Sequence, residues 1–330
     1  MRGDADERLA ARGDVTVDLV DAAASPTALR LVGTLESRVD APLVDESERA
    51  RLQALANAGD QPRRWIPMLA RADSTPVGYA GVVVPAPDDA PGGDGGVAGG
   101  DLAVDRDRPT CDDATVALLQ ALLGVTARHG AARLRVWIRH ARAGDRRCAE
   151  TAGLSVDRRL AVLGRRLDRV GPVELPDGVE VRAFRPGQDD DGLVDVLAAA
   201  YAGTAEAGWD RQRLDERAGY AWFDPADLLV AEDASGRLVG LHWTKVRPDG
   251  TGEVYNLAVH PDVQGSGLGR ALLRVGLAHL ADRGCGEAIL WVDRANEAGV
   301  GLYRDEGFTR RWTDVAFVAD LTARTGGPTY

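Results

Sequence analysis

The tripeptide Leu102-Ala103-Val104 returns as Leu257-Ala258-Val259, 155 positions further on, and its surroundings return with it. Trp137 is matched by Trp291 and Gly130 by Gly284, each 154 positions on. An offset held over so many elements marks the duplication of a whole domain, not a solenoid of short repeats. It constrains the fold more than any other feature, because whatever one half becomes, the other must be a version of it. The chain has 330 residues, enough for two domains that each bury a core. Proline and glycine interrupt the periodicity in "RVGPVELPDG", 169–178, which reads as a linker. The expected division is a first domain over 15–168 and a second over 179–321.

The second half alternates strands with helices. "VEVRAF" reads as a strand, "DGLVDVLAAAY" and "WDRQRLDERAGY" as helices, and "DLLVAEDASGRLVGLHWTKV" as a hairpin turning at Asp233 to Gly236. Strand "EVYNLAV" runs through "HPDVQGSGLG" into the helix "RALLRVGLAHLADRG", whose leucines recur at helical spacing. Strand "AILWV", helix "NEAGVGLYRDEGF" and strand "VAFVADL" are expected to complete this half. The first half repeats the order with "WIPMLARADSTPVGYAGVVV", "GGDLAV", the helix "ATVALLQALLGVTARHG", strand "RLRVWI" and "AETAGL". "PAPDDAPGGDGG", 85–96, reads as a mobile loop within it. The class is α/β (α+β).

Several functions are disfavoured at once. A formal net charge of −11 is unsuited to a duplex-binding surface, which needs clustered cations, so no nucleic-acid partner is expected. No run approaches 18 apolar residues, so no membrane span is expected, and "MRGDADERLAARGD" lacks the apolar core of a signal peptide. Cys111, Cys148 and Cys285 lie far apart with no CxxC or CxxH spacing, which suits a reducing cytoplasm and suggests no zinc site. His242 and His260 have no partners at ligand spacing, so no metal is expected.

Chemistry concentrates in "LAVHPDVQGSGLGRALL", a strand, a turn, a glycine-rich loop and a helix start in succession. Gly265, Gly267 and Gly269 let backbone approach a ligand without Cβ clashes. Loop amides at a helix N-terminus then form an anion site suited to a pyrophosphate. The spacing is neither a Walker loop nor a dinucleotide fingerprint. With "NEAGVGLYRDEGF" some thirty residues on, the stretch resembles the acetyl-CoA-binding core of the GNAT N-acetyltransferases. "AGWDRQRLDERAGYAWFDPADLLVAE", "LHWTKVRPDGTGEVYNLAVHP" and the tandem length resemble, within them, the actinobacterial mycothiol synthase family. The likeness is specific over 176–321 and mostly architectural over 15–168.

The resemblance implies two tandem GNAT-fold domains, each a mixed, mostly antiparallel sheet flanked by helices. It implies acetyl-CoA as co-substrate and acetylation of the cysteinyl amine of desacetylmycothiol, a small thiol-sugar, by a monomer. Carried onto this chain, Leu257, Ala258 and Val259 line the acetyl-pantetheine arm, and Gln264, Gly265, Ser266, Gly267, Leu268, Gly269 and Arg270 hold the pyrophosphate. Asn296, Glu297, Ala298, Gly299, Val300 and Gly301 pack along the cofactor. Glu253 accepts the amine proton and contacts substrate, and Tyr303 stands beside the departing sulfur as general acid. Glu206 and Lys245 bind substrate, as does Trp291, where the family tends to place a tyrosine. The matching first-half carboxylate falls at Asp45 or its neighbour Glu46.

The residues support these roles by their own chemistry. An amine must be neutral to attack a thioester, so a base beside it helps, and a donor near sulfur assists collapse. Lys245 is the only lysine among 40 basic residues, and a compact ammonium is not interchangeable with arginine's planar fork. The short connection "RPDGTG" brings Lys245 near Glu253, where it would hold the carboxylate ionised if the register puts both on one face. In the first half Glu253 corresponds to Ala98, Tyr303 to Ala149, and "QGSGLGRAL" to "PTCDDATVAL", so that half is expected to be a non-catalytic partner shaping the substrate cleft. Two other readings stay open: a GNAT enzyme for another small amine such as an aminoglycoside, and a non-catalytic CoA-binding scaffold.

Overall fold

The computed structural model describes residues 9–59, 64–85 and 96–322. Residues 86–95 of the expected first-half loop, and the first eight residues, lie outside them. Two compact units emerge, one of residues up to Leu160 together with those from Trp312 onward, the other Ala161–Arg311.

The first unit contains β1 (Ala10–Arg12), β2 (Val15–Leu19), α1 (Ser25–Val39), α2 (Glu46–Ala58), β3 (Trp65–Ala72), β4 (Thr75–Val83), β5 (Val97–Val104), α3 (Cys111–Arg128), β6 (Arg133–Ile138) and α4 (Ala143–Ala152). β7 (Ser155–Arg166) crosses the boundary between the units. Strands β1 to β5 pair antiparallel in sequence order, and β5 pairs parallel with β6. Helix α3 has apolar residues on almost every side, and Leu118, Leu119 and Leu122 share one core with Val82, Leu134 and Val136. Fully burying each such side chain contributes roughly 1.5–3 kcal/mol.

The second unit contains β8 (Glu180–Ala183), α5 (Asp190–Ala200), α6 (Arg211–Ala218), β9 (Leu228–Glu232), β10 (Leu238–Val246), β11 (Gly252–Val259), α7 (Leu268–Asp282), β12 (Glu287–Asp293) and α8 (Glu297–Asp305). Its strands run in the order β7-β12-β11-β10-β9-β8, antiparallel from β8 to β11 and parallel between β11 and β12. Helix α7 covers one face through Leu273, Leu277 and Leu280, packed with Val254 and Leu290. Helix α5 covers the other through Leu193, Val196 and Leu197, packed with Leu241 and Trp243. A mixed, mostly antiparallel sheet flanked by helices is what the family resemblance implied for this half.

The last strand corrects the reading of "VAFVADL" as the end of the second half. In β13 (Thr309–Asp320), residues Val315 to Asp320 pair antiparallel with Ile138 to Arg133 of β6, inside the first unit. Val315, Phe317, Ala319 and Leu321 join the core of α3 and β6. Alternating apolar residues announce a strand with a buried face, but not which edge it will find.

Candidate active site

The hairpin of β10 and β11 carries the charged residues. Gly240↔Val259 to Trp243↔Asn256 form one register, and Thr244↔Val254 to Val246↔Gly252 another, offset by one residue. The extra residue, Tyr255, is a β-bulge. Without it Lys245 would face Val254; with it Lys245 lies directly opposite Glu253, on the same face of the sheet. Both are buried, at 6% and 8% exposure. Buried charges need partners to offset lost hydration. Lys245 Nζ lies 4.3 Å from the centre of the Trp222 ring and 5.9 Å from that of Tyr255, a cation–π arrangement. Trp222, Trp243 and Tyr255 pack against one another in tilted and edge-on contacts.

Glu253 has a second cation beside it, which the sequence reading did not single out. Arg247 Nη1 lies 3.0 Å from Glu253 Oε2, and the same guanidinium sits 5.7 Å from the ring centre of Trp291. Arg247 thus ties Trp291 to the Lys245–Glu253 pair. Its only sequence signal was alternation: two residues beyond Lys245, it falls on the same face.

Beyond Glu253 the sheet opens. β11 pairs with β12 only at Gly252↔Ala288 and Glu253↔Ile289, so the β12-facing main chain of Val254–Val259 has no ladder. Ala258 turns its side chain into the core, whereas Leu257 and Val259 are half-buried. At the end of this strand Gln264 Nε2 donates to Val259 O at 3.1 Å. The amides of Gly265, Ser266, Gly267 and Gly269 have no acceptor among the described residues, and Leu268 N has only Ser266 Oγ at 3.4 Å. Gly267 caps α7 at φ 88°, left-handed backbone that glycine adopts without strain, and no acidic residue follows in the first turn. Open amides, a helix N-terminus and no carboxylate make a concave anion site. The Arg270 guanidinium is engaged elsewhere, 2.8 Å from Glu306 and 3.3 Å from Asp305. Burial pushes Glu306 up, but hydrogen bonds from Arg274 and Arg270 outweigh it and hold the carboxyl below its usual range.

Helix α8 follows β12 in the chain. Asn296 caps it, its side chain accepting from Gly299 N at 2.9 Å; Glu297 and Ala298 are exposed, and Val300 and Gly301 half-buried. Tyr303 packs edge-on against Phe308 at 5.7 Å, and burial pushes its phenol up to about 12, so at neutral pH it is a proton donor. Tyr201, another residue missed from sequence, donates to Asn256 Oδ1 at 3.0 Å. Burial first, then the nearby Tyr303 and Glu206, raise its phenol well above the ordinary value. Glu206 itself is exposed, 3.7 Å from Arg213. Asp45 belongs to the first unit, where it caps α2 through Ser47 N and lies 3.4 Å from Arg139. His242 is wholly buried, 2.8 Å from Leu272 O, and burial lowers it to about 4, so it is a neutral core residue.

An opened parallel strand pair with a glycine turn feeding a helix is the core of an acetyltransferase of the GNAT type, and the acetyltransferase (GNAT) family model matches residues 194–308. A solved tandem GNAT protein from the clavulanic acid biosynthesis pathway has the same fold, with a TM-score of 0.67 at 15% identity over 96% of this chain and all of that one. The mycothiol acetyltransferase of Streptomyces griseus is 37% identical over 92% of this chain and 94% of its own length, and this chain belongs to that family. The mycothiol acetyltransferase of Saccharopolyspora erythraea is 46% identical over 56% of this chain. That alignment and two to Streptomyces mycothiol acetyltransferases span 62–65% of the length of those relatives.

Proposed function

We propose that the chain transfers the acetyl group of acetyl-CoA to the cysteinyl amine of desacetylmycothiol, releasing CoA and mycothiol. The observation that carries this is the position of Glu253: buried, on the last paired residue before β11 and β12 part, and one strand length from the open amides of 265–269. Membership of the mycothiol acetyltransferase family supports the choice of amine. Acetyl-CoA, when bound, supplies a thioester carbonyl. The loop amides would take its pyrophosphate, and the unpaired edge of Val254–Val259 would meet the pantetheine arm by main-chain hydrogen bonds. Glu253 accepts a proton as the amine nitrogen forms its bond to the acetyl carbon. Tyr303, protonated at neutral pH, gives its proton to sulfur as the carbon–sulfur bond breaks. Lys245, Glu206 and Trp291 would hold the thiol-sugar.

The reading makes the second unit the catalytic one. Among the described residues no helix is long and apolar enough to cross a membrane. The test is the product. Incubation with acetyl-CoA and desacetylmycothiol should yield a species heavier by one acetyl group, with fragmentation placing it on the cysteinyl nitrogen. Acetylation of an aminoglycoside in its place would move the assignment to another small amine.

A further inference from the structure

Three charged side chains share one sheet face at the mouth of the opening, and two of them are cations: Lys245, Arg247 and Glu253. A lone carboxylate buried to this degree would favour its protonated form and make a poor base until well above neutrality. Here Arg247 reaches Glu253 Oε2 at 3.0 Å, with only 18% of the arginine side chain and 11% of the glutamate side chain exposed, so solvent screens the pair weakly. Arg247 is itself held from two sides, its Nε 3.8 Å from Asp249 and its head beside the Trp291 ring. Its backbone amide donates to Thr251 O across the turn, fixing where the side chain starts. Other charged groups on the Glu253 face include Lys245 across the strand pair, stacked on Trp222, and Glu287 and Asp293, which alternation places on the same face of β12. Glu287 is occupied by Arg311.

We infer that Arg247 is a positioning residue for Glu253, which it keeps ionised and aimed, and that with Lys245 it surrounds the incoming amine with positive charge that favours its neutral form. Both effects have one sign. Removing the guanidinium raises the pH at which Glu253 loses its proton, and raises the pH at which the bound amine does. The inference rests on Glu253 being the base, so one measurement must need no turnover.

That measurement is the titration of the Glu253 carboxyl carbon by NMR, its resonance identified by its absence in Glu253→Gln. In Arg247→Met and in Arg247→Gln the midpoint should rise by about one to three pH units, the usual effect of losing an opposite charge at contact distance. Arg247→Lys should recover most of the difference. In the kinetic arm, the acid limb of kcat/KM for the amine should move the same way, the loss growing about tenfold for each unit below the displaced midpoint. KM for acetyl-CoA should stay at the wild-type value. An unmoved midpoint in either neutral variant with a normal melting temperature overturns the inference, and so does failure of both variants to fold, which would make Arg247 a strut of the hairpin. A raised midpoint in a protein that acetylates no amine would leave the Arg247–Glu253 linkage standing and remove the proposed function instead.

Discussion

The two units were built from one plan, and they differ most where the parallel strands meet. β11 and β12 keep two paired positions and then part, whereas β5 and β6 are paired at six, from Val97↔Arg133 to Leu102↔Ile138. The closed seam is also pinned by charge: Arg139 on the β6 side lies 3.2 Å from Asp101 of β5, and 3.4 Å from Asp45. At the position of Asp101 the second unit carries Asn256, a neutral group bonded to Tyr201. At the position of Glu253 the first unit has Ala98, fully buried, and Ala149, fully buried as well, stands for Tyr303. Its helix α3 opens with Asp112 and Asp113, where α7 opens on glycine. Duplication preserved the scaffold, and the first unit used its polar groups on itself. The second unit's site combines backbone left without hydrogen-bond partners with side chains, Glu253 and Tyr303, where the first unit has alanine.

The sharpest way to break that contrast is Glu253→Gln. Turnover should fall by roughly 10²–10⁴, the range for losing a general base, with acetyl-CoA binding near normal and part of the rate recovered at high pH. An unaltered pH–rate profile would remove Glu253 from the chemistry and, with it, the main difference between the units. Lys245→Arg comes next. The ammonium is buried and stacked on Trp222, so a longer planar head should be displaced from this position and a charge-assisted hydrogen bond worth about 1.5–3 kcal/mol lost. That is roughly ten- to a hundred-fold in kcat/KM for the amine, with acetyl-CoA barely affected. Wild-type kinetics in a protein of normal stability would return this lysine to an accident of composition.

Calorimetry of acetyl-CoA binding addresses the closed seam directly. One site is expected, and Gly267→Asp should weaken it by about tenfold or more, because a carboxylate enters the anion site and a side chain is forced into left-handed backbone costing about 1–2 kcal/mol. Two sites of comparable affinity that both survive the substitution would show that the first unit still binds. A further effect is on stability, and it differs in sign between the units. Glu48, on the buried face of α2, is raised from 4.5 to about 7 by burial, against opposing hydrogen bonds from Tyr79 and Trp65. A raised carboxyl favours the folded state when protonated, so this contribution is present below pH 4.5 and lost as pH rises through about 7, worth at most about 3 kcal/mol. Glu306 in the second unit is shifted down, and its contribution is lost as pH falls. Hydrogen-exchange protection, corrected for intrinsic rates, should therefore decline with rising pH in peptides of α2 and β4 and with falling pH in those of α7 and α8. Glu48→Gln should abolish the first trend. Parallel trends in both units would refute the difference.

Much of the site could be read from residue order. The glycine turn, the strand before it and the helix after it are contiguous, so their spacing carries the geometry. The hairpin was equally legible through "RPDGTG". What escaped was lateral. The bulge at Tyr255 shifts register by one residue and so decides which side chains face one another. Trp222 reaches Lys245 from the segment after α6, and Tyr201 reaches Asn256 from the end of α5. Each contact joins positions too distant in sequence for periodicity to relate them.

By itself the sequence determined that the chain is a duplicated domain, the order of the strands and helices of its second half up to α8, and that only the second copy retains a glycine-rich loop free of carboxylates. These follow from local physics, since apolar periodicity and glycine backbone freedom act over a few residues. Tertiary structure alone decided that β13 pairs with β6, that β11 and β12 part after Glu253, and that Arg247 reaches this carboxylate from its own side of the hairpin. Those outcomes depend on which edge is open and which register buries more apolar surface, and both are settled only when distant segments compete for the same neighbour.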